Sequence, residues 1–355
     1  MSFPPAPVDS IDWSSISSTQ VNDDCGHVEC HYSVLTETWS EPVFVQEPYL
    51  KVHGLSSALN YGQQVYEGLR GIRIADNKII LFRPEKHAER LIHSASYVSM
   101  PAPPIELFLK AVNMAVAKNA IYVPPADAPA QLYIRPLLFG SGGQLMLIPS
   151  SQYTFCVFVQ PGTTSHDLNP IPTLIMEDFD RAAPEGTGSA KLGGNYAPAM
   201  KSMAIARAKG FPLTLHLDSK TRTVVEEFSS CAFLGVKKDG EQYTITATES
   251  KNTLKSITSD SCLEIAKTLG WKVEQRSVPY TELPEFSEIL AVGTAASILP
   301  VRSITRESTS DCFSYVTDSG EPGPAFITLS KILREVQQGK TSDFPEWRKE
   351  VTEIP

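Results

Sequence analysis

The amino-acid sequence predicts an α+β fold in two domains. Helix-like and strand-like segments alternate along the chain, and its 355 residues exceed what one ordinary hydrophobic core holds. Residues 161–170 are rich in Pro, Thr and other residues typical of a linker. We therefore predict a small N-terminal α/β domain with an N-terminal arm at residues 1–160, and a larger C-terminal domain at residues 171–355.

The N-terminal domain is predicted to begin with a surface arm, because residues 1–40 are rich in Pro, Ser and Asp. Residues 56–73 are predicted to form an extended segment. Helices are predicted where apolar residues recur at helical spacing and where Pro84 suits a first helical turn. In chain order, the remaining elements are a strand at 79–82, helices at 84–98 and 105–120, and strands at 131–139 and 153–159.

The C-terminal domain continues this alternation of strands and helices, without an internal sequence repeat. Its last helix is predicted to stop at Gly339, because glycine commonly follows a helix end. The predicted strands are 173–179, 213–218, 243–248 and 289–292, and the predicted helices are 196–209, 258–269 and 324–338.

Charge and composition argue against several classes of partner. The formal net charge is -9, which disfavours nucleic acid and anionic membrane surfaces. No apolar run approaches the roughly 20 residues that a membrane-spanning helix needs. The first basic residue is Lys51, so the N-terminal segment lacks the positive charge of a secretory or mitochondrial targeting signal. We therefore expect a cytoplasmic protein.

No metal site is expected. The six cysteines are scattered along the chain and form no Cys-x-x-Cys pair. The densest group of potential ligands is Cys25, His27, Cys30 and His31, but closed zinc sites usually draw on two well-formed ligand pairs.

The most informative motif surrounds Lys191. This lysine follows a Gly- and Ser-rich approach and precedes the pair Gly193-Gly194, which opens a predicted helix. An amine held in this way is partly withdrawn from water and can attack a carbonyl. A P-loop would need Gly directly before the lysine, and a dinucleotide fingerprint would need Gly at position 191. A solvated surface lysine stays open as the alternative.

If the carbonyl belongs to pyridoxal phosphate, three further groups are needed. The phosphate needs a cation and backbone donors, the pyridine nitrogen needs a carboxylate, and the phenolate oxygen needs a donor. The candidates are Arg83 before one predicted helix, Thr258 or Ser259 as the N-cap of another, Glu226 or Glu227 before an apolar run, Tyr196, and the turn 293–296. Each also has an ordinary explanation as a helix cap, a surface charge or a half-buried aromatic, and only their joint occurrence favours a cofactor site.

Together these segments resemble the branched-chain aminotransferases, within the fold-type IV pyridoxal phosphate enzymes that share the D-amino-acid aminotransferase-like fold. Among these the chain is most similar to fungal members. The resemblance extends in order and approximate spacing from about Tyr49 to Trp347. The motifs that carry it are Tyr61 to Gly68, Leu81-Phe82-Arg83-Pro84, Leu132 to Pro136, Arg181, Lys191 to Tyr196, Glu226, Gly293-Thr294-Ala295 and Pro300-Val301.

The resemblance implies a role for each matching residue, with Lys191 as the catalytic lysine that carries the cofactor covalently. The implied cofactor-binding residues are Arg83, Ile257, Thr258 and Thr294 at the phosphate, Arg181 at its border, Glu226 at the pyridine nitrogen, Tyr196 at the phenolate oxygen, Leu254 against the ring and Ser229 near it. The implied substrate-binding residues are Tyr61, Tyr66, Tyr133, Arg135, Thr294 and Ala295, partly across a homodimer interface.

The implied activity is transfer of an amino group between branched-chain or other hydrophobic L-amino acids and 2-oxoglutarate in a ping-pong cycle. Other interpretations stay open: a transaminase for D-amino acids or (R)-amines, an aminodeoxychorismate lyase, an aminotransferase of secondary metabolism, or a non-catalytic dimeric binding module. The departures from the family pattern are Leu254-Lys255-Ser256, Ser259, Phe228 to Cys231 and the loop Gly140 to Leu145. Ala296 and Leu299 replace the redox cysteine pair of mammalian relatives, so thiol regulation of that kind is expected to be absent.

Overall fold

The structure is a computed structural model that describes residues 2–17, 19–163, 169–317 and 319–354. It confirms the predicted mixture of helices and strands. The strands are β1 (His27–Ser33), β2 (Thr38–Trp39), β3 (Val43–Val45), β4 (Gln64–Tyr66), β5 (Leu69–Arg73), β6 (Ile79–Phe82), β7 (Ala130–Gly140), β8 (Gln152–Thr163), β9 (Ile171–Met176), β10 (Leu213–Leu217), β11 (Val224–Phe228), β12 (Ala232–Asp239), β13 (Gln242–Thr248), β14 (Lys272–Arg276), β15 (Val278–Pro279), β16 (Glu288–Gly293), β17 (Ser297–Arg306), β18 (Asp311–Ser314) and β19 (Arg348–Glu350). The α-helices are α1 (Ser57–Tyr61), α2 (Pro84–Ser96), α3 (Ile105–Lys118), α4 (Gly193–Tyr196), α5 (Ala199–Ala208), α6 (Ile257–Thr268) and α7 (Pro324–Gln337). Short 3-10 helices lie at Ala120–Tyr122, Tyr280–Glu285 and Pro345–Trp347.

The chain folds into two compact units. Unit 1 comprises Met1–Thr164, Ala190–Gly193 and Glu335–Pro355, and unit 2 comprises Ser165–Ser189 and Gly194–Arg334. The predicted domain boundaries therefore need correction, because Lys191 and the C-terminal segment belong to unit 1. Both are tied there by main-chain hydrogen bonds, from Tyr66 to Lys191 and between β19 and β6.

The predicted linker at 161–170 also needs correction at its ends. Strand β8 continues to Thr163 and β9 begins at Ile171, so the segment between the two strands is shorter in sequence than the predicted linker. Residues 164–168 of this prediction lie outside the described residues.

Unit 1 is built on an antiparallel sheet. Within the described ranges its strands run in the order β19-β6-β5-β7-β8-β1-β2, with β3 beside β1 and β4 beside β7. Helix α3 buries Phe108, Ala111 and Ala115 at helical spacing, and the Phe108 ring stacks on Phe155 of β8 at 5.6 Å. This apolar stripe packs the helix against the sheet and forms the core of unit 1.

Two predictions for the first 73 residues are wrong. Residues 27–33 do not belong to a surface arm but form β1, which pairs with β8. Val28 and Cys30 of this strand are fully buried, although His31 is exposed. The buried His27 is compatible with this position because its Nε2 lies 2.9 Å from Glu29 Oε1 and its ring stacks on Phe158 at 4.5 Å. Residues 56–73 are not extended throughout, since they contain α1 before β4 and β5.

Unit 2 contains a closed ring of strands. In the part of unit 2 that is described, β12, β16, β17, β9, β10 and β11 pair in succession, and β11 returns to β12 through Glu227 and Ala232. Strands β9 and β10 are parallel, and β11 is antiparallel to both of its ring neighbours. Ring closure places the carboxylates of β11 inside a well-packed sheet, where Glu226 and Glu227 are 3% and 4% exposed.

The predicted helix at 196–209 is divided in the structure. Helix α4 ends at Tyr196 and α5 begins at Ala199, on either side of Pro198. Proline has no N–H to donate to the preceding turn, which accounts for the break. Among the described residues, no helix combines the length and hydropathy that crossing a membrane requires, and no cluster of His, Cys, Asp or Glu is suited to a metal ion.

Candidate active site

Lys191 lies on a fixed main chain in unit 1. Its N–H donates to Ser94 Oγ at 2.9 Å, and the N–H of Tyr66 donates to its carbonyl at 3.1 Å. The neighbouring Leu192 is buried and forms an antiparallel bridge with Val65. The half-buried Lys191 side chain places Nζ 4.6 Å from the centroid of the Tyr66 ring. These contacts disfavour the alternative of a solvated lysine on a mobile glycine loop.

Two tyrosines and an arginine gather beside this lysine. The Arg135 guanidinium carbon lies 4.7 Å from the Tyr66 ring centroid and 5.2 Å from that of Tyr133, and Arg135 Nη2 donates to Tyr133 Oη at 3.1 Å. Gly68 allows this arrangement, because a Cβ there would lie 2.0 Å from Tyr133 Oη. The structure therefore brings together four predicted site residues: Tyr66, Tyr133, Arg135 and Lys191.

Arg70 is a cation of this group that the sequence analysis missed. It is 5% exposed, and its guanidinium carbon lies 5.6 Å from the Tyr133 ring centroid. Burial lowers the pKa of Arg70 to about 10, so the side chain stays charged at neutral pH. A signal was present in the sequence, since Arg70 follows Gly68 by two residues and lies between Leu69 and the apolar pair Gly71-Ile72.

A buried ionic network begins at Glu67, the residue after Tyr66, and the sequence analysis missed this network as well. Glu67 is fully buried, and Arg90 of α2 donates to both of its oxygens, from Nε at 2.7 Å and from Nη2 at 2.9 Å. His87 Nδ1 lies 2.7 Å from Glu67 Oε2. The network joins α2 to the segment that carries Tyr66. The same helix carries Ser94, which accepts the hydrogen bond from Lys191. The members of the network are 20 and 23 residues apart in sequence, so no local pattern reveals it.

Two other predicted residues of unit 1 lie on helices. Arg83 is the N-cap of α2, as expected, and has left-handed backbone angles of φ 49° and ψ 47°. A non-glycine residue in that conformation costs about 1–3 kcal/mol and persists only where its surroundings fix it. Tyr61 ends α1, and its hydroxyl donates to the carbonyl of Leu145 in the loop after β7.

In unit 2, the structure distinguishes the two candidate carboxylates of β11. Glu227 pairs with Arg181 Nη1 at 2.9 Å. Glu226 faces the other way, and its Oε1 accepts hydrogen bonds from Ser250 Oγ at 3.2 Å and Asn252 Nδ2 at 3.1 Å. Within the described residues, no basic side chain pairs with Glu226. A buried carboxylate with only neutral partners is suited to a cationic ligand.

Arg181 connects three of the predicted residues. Its guanidinium carbon lies 5.4 Å from the Tyr196 ring centroid, and its Nε donates to the Ser229 carbonyl at 3.4 Å. The Ser229 hydroxyl is buried and makes no hydrogen bond within the described part of the chain. His216 of β10 lies opposite Glu227 of β11. Burial, together with the charge of Arg181, lowers the pKa of His216 to about 3, so that His216 is neutral at neutral pH.

The remaining predicted residues lie where the chain turns or a helix begins. Ile257 and Thr258 open α6, but the N-cap is Ser256, whose Oγ accepts from the Ser259 N–H at 3.1 Å. The prediction of Thr258 or Ser259 as the cap is therefore wrong, because the helix already begins at Ile257. Thr294 and Ala295 form the predicted turn between β16 and β17, and Leu254 is half-buried before α6.

Comparison with known proteins identifies the family. The model of amino-transferase class IV matches residues 64–304. The chain belongs to the class IV aminotransferases. Aminotransferase poxL of Penicillium oxalicum is 50% identical over 345 residues, which cover 97% of this chain and 94% of that protein. The branched-chain amino acid aminotransferase gloG of Glarea lozoyensis is 44% identical and covers 99% of this chain and 98% of its own length.

Solved structures agree with this assignment. The T.th. branched-chain amino acid aminotransferase, complexed with N-(5'-phosphopyridoxyl)-L-glutamate, has a TM-score of 0.76 and 26% identity and covers 94% of this chain and 100% of that chain. The branched-chain amino acid aminotransferase of Escherichia coli has a TM-score of 0.72 and 26% identity and covers 92% of this chain and 100% of that chain. These comparisons confirm the predicted family and the fold-type IV architecture.

Pyridoxal phosphate is the cofactor of class IV aminotransferases, and this confirms the predicted cofactor. The side chains present fit it. Both described hydrogen bonds to the buried Glu226 carboxylate go to Oε1. The buried Ser229 hydroxyl makes no hydrogen bond to any residue that the structure describes. Helix α6 also begins with backbone N–H groups of the kind that bind phosphate.

Proposed function

We propose that this aminotransferase moves amino groups between branched-chain or other hydrophobic L-amino acids and 2-oxoglutarate in a ping-pong cycle. The observation that carries the proposal is the exposed Arg135 guanidinium against the rings of Tyr66 and Tyr133, next to the Lys191 amine. Aromatic walls suit a hydrophobic side chain, and a guanidinium suits a carboxylate. Similarity to the branched-chain amino acid aminotransferases of Glarea lozoyensis and T.th. supports a branched-chain substrate.

We assign each side chain a task in this reaction. When bound, pyridoxal phosphate withdraws electrons from the α-carbon of the amino acid. The Lys191 amine would carry the cofactor, accept the proton of the substrate Cα and later return a proton, as base and then acid. Glu226 would hold a proton on the pyridine nitrogen. The other proposed contacts are Arg83, Ile257, Thr258 and Thr294 with the phosphate, Arg181 at its border, Tyr196 with the phenolate oxygen, Leu254 and Ser229 with the ring, and Tyr61, Tyr66, Tyr133, Arg135 and Ala295 with the substrate.

The experiment that tests this function compares amino donors and acceptors. L-Leu, L-Ile and L-Val are expected to convert the bound cofactor to its amine form faster than D-Ala or (R)-1-phenylethylamine, followed by absorbance in single half-reactions. R135M is expected to raise the KM for 2-oxoglutarate about 10- to 100-fold, because a charge-assisted hydrogen bond contributes about 1.5–3 kcal/mol. The KM for 2-oxo-4-methylpentanoate, which has one carboxylate fewer, should rise less.

A control variant separates this effect from loss of surface charge. Arg207 is exposed on α5, and R207M should leave both KM values at the parent level. Faster conversion of D-Ala or (R)-1-phenylethylamine than of the three L-amino acids would contradict the proposed specificity. Equal changes in the two acceptor KM values would contradict the role of Arg135.

We also propose that the protein is a homodimer and that the loop after β7 packs on the second copy. Leu145, Met146, Leu147 and Ile148 are 72%, 67%, 80% and 53% exposed, which is unusual for consecutive large apolar residues. L147D is expected to shift the protein toward monomer in light scattering coupled to gel filtration. L35D, at a residue that is 92% exposed in a turn of unit 1, should not. A parent protein that is monomeric at micromolar concentration would contradict the proposal. A cytoplasmic location stays a prediction from the sequence.

A further inference from the structure

Arg83 is held in place by a residue from the far end of the chain. The N–H of Arg83 donates to the carbonyl of Trp347 at 2.7 Å. The Arg83 guanidinium carbon lies 4.5 Å from the centroid of the Trp347 ring, and Arg83 is only 7% exposed. Trp347 therefore contacts both the main chain and the charged end of the arginine that the proposed function assigns to the cofactor phosphate.

The Trp347 ring is itself fixed on its other sides. Phe344 stacks on it with a centroid distance of 4.0 Å and an interplanar angle of 18°, and Phe82 meets it edge-on at 5.9 Å. The ring is 6% exposed, and Phe344 has a left-handed φ of 51°. Close packing on several sides restricts rotation of the ring, which therefore offers the guanidinium a rigid surface.

The segment that carries Trp347 is anchored beside the strand that leads into Arg83. In β19, Arg348 pairs with Phe82 and Glu350 pairs with Ile80 of β6. The N–H of Val351 donates to the Ile79 carbonyl at 2.8 Å, and the buried Val351 side chain packs into the core of unit 1. The sheet thus fixes the position of Trp347 relative to Arg83, although they are far apart in sequence.

We propose that Trp347 is a positioning residue that holds the Arg83 guanidinium in one orientation, ready to receive a phosphate dianion. The ring attracts the guanidinium through its π face, and a guanidinium donates to phosphate from the N–H groups at its edge, in the plane of the group. An arginine that is ordered before the ligand arrives loses less conformational freedom on binding, so the cofactor phosphate binds more tightly. This inference rests on the proposed function, which assigns the phosphate to Arg83.

The test measures binding of pyridoxal phosphate to the full-length apoprotein by spectroscopic titration, with inorganic phosphate as a second probe. W347L is expected to weaken cofactor binding on the order of tenfold or more, because the π face is lost. At saturating cofactor its kcat should stay within a few-fold of the parent. W347F keeps an aromatic face and should recover most of the affinity. In the double variant W347L/R83M, the loss should equal that of R83M alone, because Trp347 acts through Arg83.

The outcomes separate this inference from the proposed function. If R83M binds pyridoxal phosphate as tightly as the parent, the assignment of Arg83 to the phosphate fails, and this inference fails with it. If R83M is weakened but W347L and W347F bind like the parent, only the positioning role is overturned. Additive losses in W347L/R83M, or a loss in W347F as large as in W347L, also overturn it. Should W347L not fold, W347M and W347M/R83M provide the same comparison, because methionine also lacks the π face.

Discussion

Replacement of Glu226 by glutamine is expected to lower the rate of amino transfer on the order of a hundred- to a thousandfold, with little change in stability. The loss is of the size seen when an electrostatic partner of the reacting system is removed from a buried site. Glutamine can still accept from Ser250 and Asn252, as Glu226 Oε1 does, but its neutral amide cannot keep the pyridine nitrogen protonated. Stopped-flow absorbance of the L-Leu half-reaction measures the rate.

Glu227 provides the matched comparison on the same strand. It is equally buried, but its partner is Arg181 at 2.9 Å. We therefore expect E227Q to lower the free energy of unfolding more than E226Q does, and to lower the half-reaction rate less than E226Q does. A parent-like half-reaction in E226Q would show that Glu226 does not act on the cofactor. A larger rate loss in E227Q than in E226Q would show that the two roles are assigned the wrong way round.

Replacement of Glu67 by alanine is expected to destabilise unit 1 by about 3–5 kcal/mol, the usual effect of breaking a buried ion pair. The change leaves the buried His87 and the half-buried Arg90 without the carboxylate that they both contact at 2.7 Å. Denaturant unfolding measures the loss. E89A removes an exposed ion pair from the same helix, Lys86 with Glu89, and should change stability by less than about 1 kcal/mol.

The same network should make the stability of the protein depend on pH under acidic conditions. Burial acts to raise the pKa of Glu67, but the charge and hydrogen bonds of Arg90, together with His87, outweigh burial and hold that pKa below its usual value. A carboxyl whose pKa is lower in the folded state than in the unfolded state contributes stability above the unfolded pKa of about 4.3 and loses it as the pH falls. Below a pH of about 4.3, stability should therefore fall less steeply in E67Q than in the parent. Identical acid profiles would contradict the role of this pair.

Local patterns in the sequence predicted local structure well. The strand at 79–82 is confirmed at both ends, and the helix predicted from Pro84 begins there. Apolar spacing and a proline in the first turn depend only on neighbouring residues. The same patterns could not predict β1. Its residues His27, Glu29 and His31 appear polar, and the strand is stabilised by pairing with β8, more than a hundred residues away.

The sequence predicted the candidate site as a set of residues, but not how each is supported. Both Glu226 and Glu227 belong to one strand, and their different partners are seen only in the structure. From local pattern alone, the sequence could not choose between them, and the resemblance to the family selected Glu226. It missed Glu67, whose partners lie on α2, and it placed Lys191 in the C-terminal domain although its main chain pairs with Ser94 and Tyr66. Each omission concerns a contact between segments that are distant in sequence.

The central claim is that the Lys191 amine binds pyridoxal phosphate covalently. Borohydride reduction of the holoenzyme, followed by proteolysis and mass spectrometry, tests it most directly. The account predicts a phosphopyridoxyl group on the peptide that contains Lys191, and no such group and no amino transfer in K191A. Modification of a different lysine in the parent, or amino transfer by K191A at the parent rate, would contradict the account.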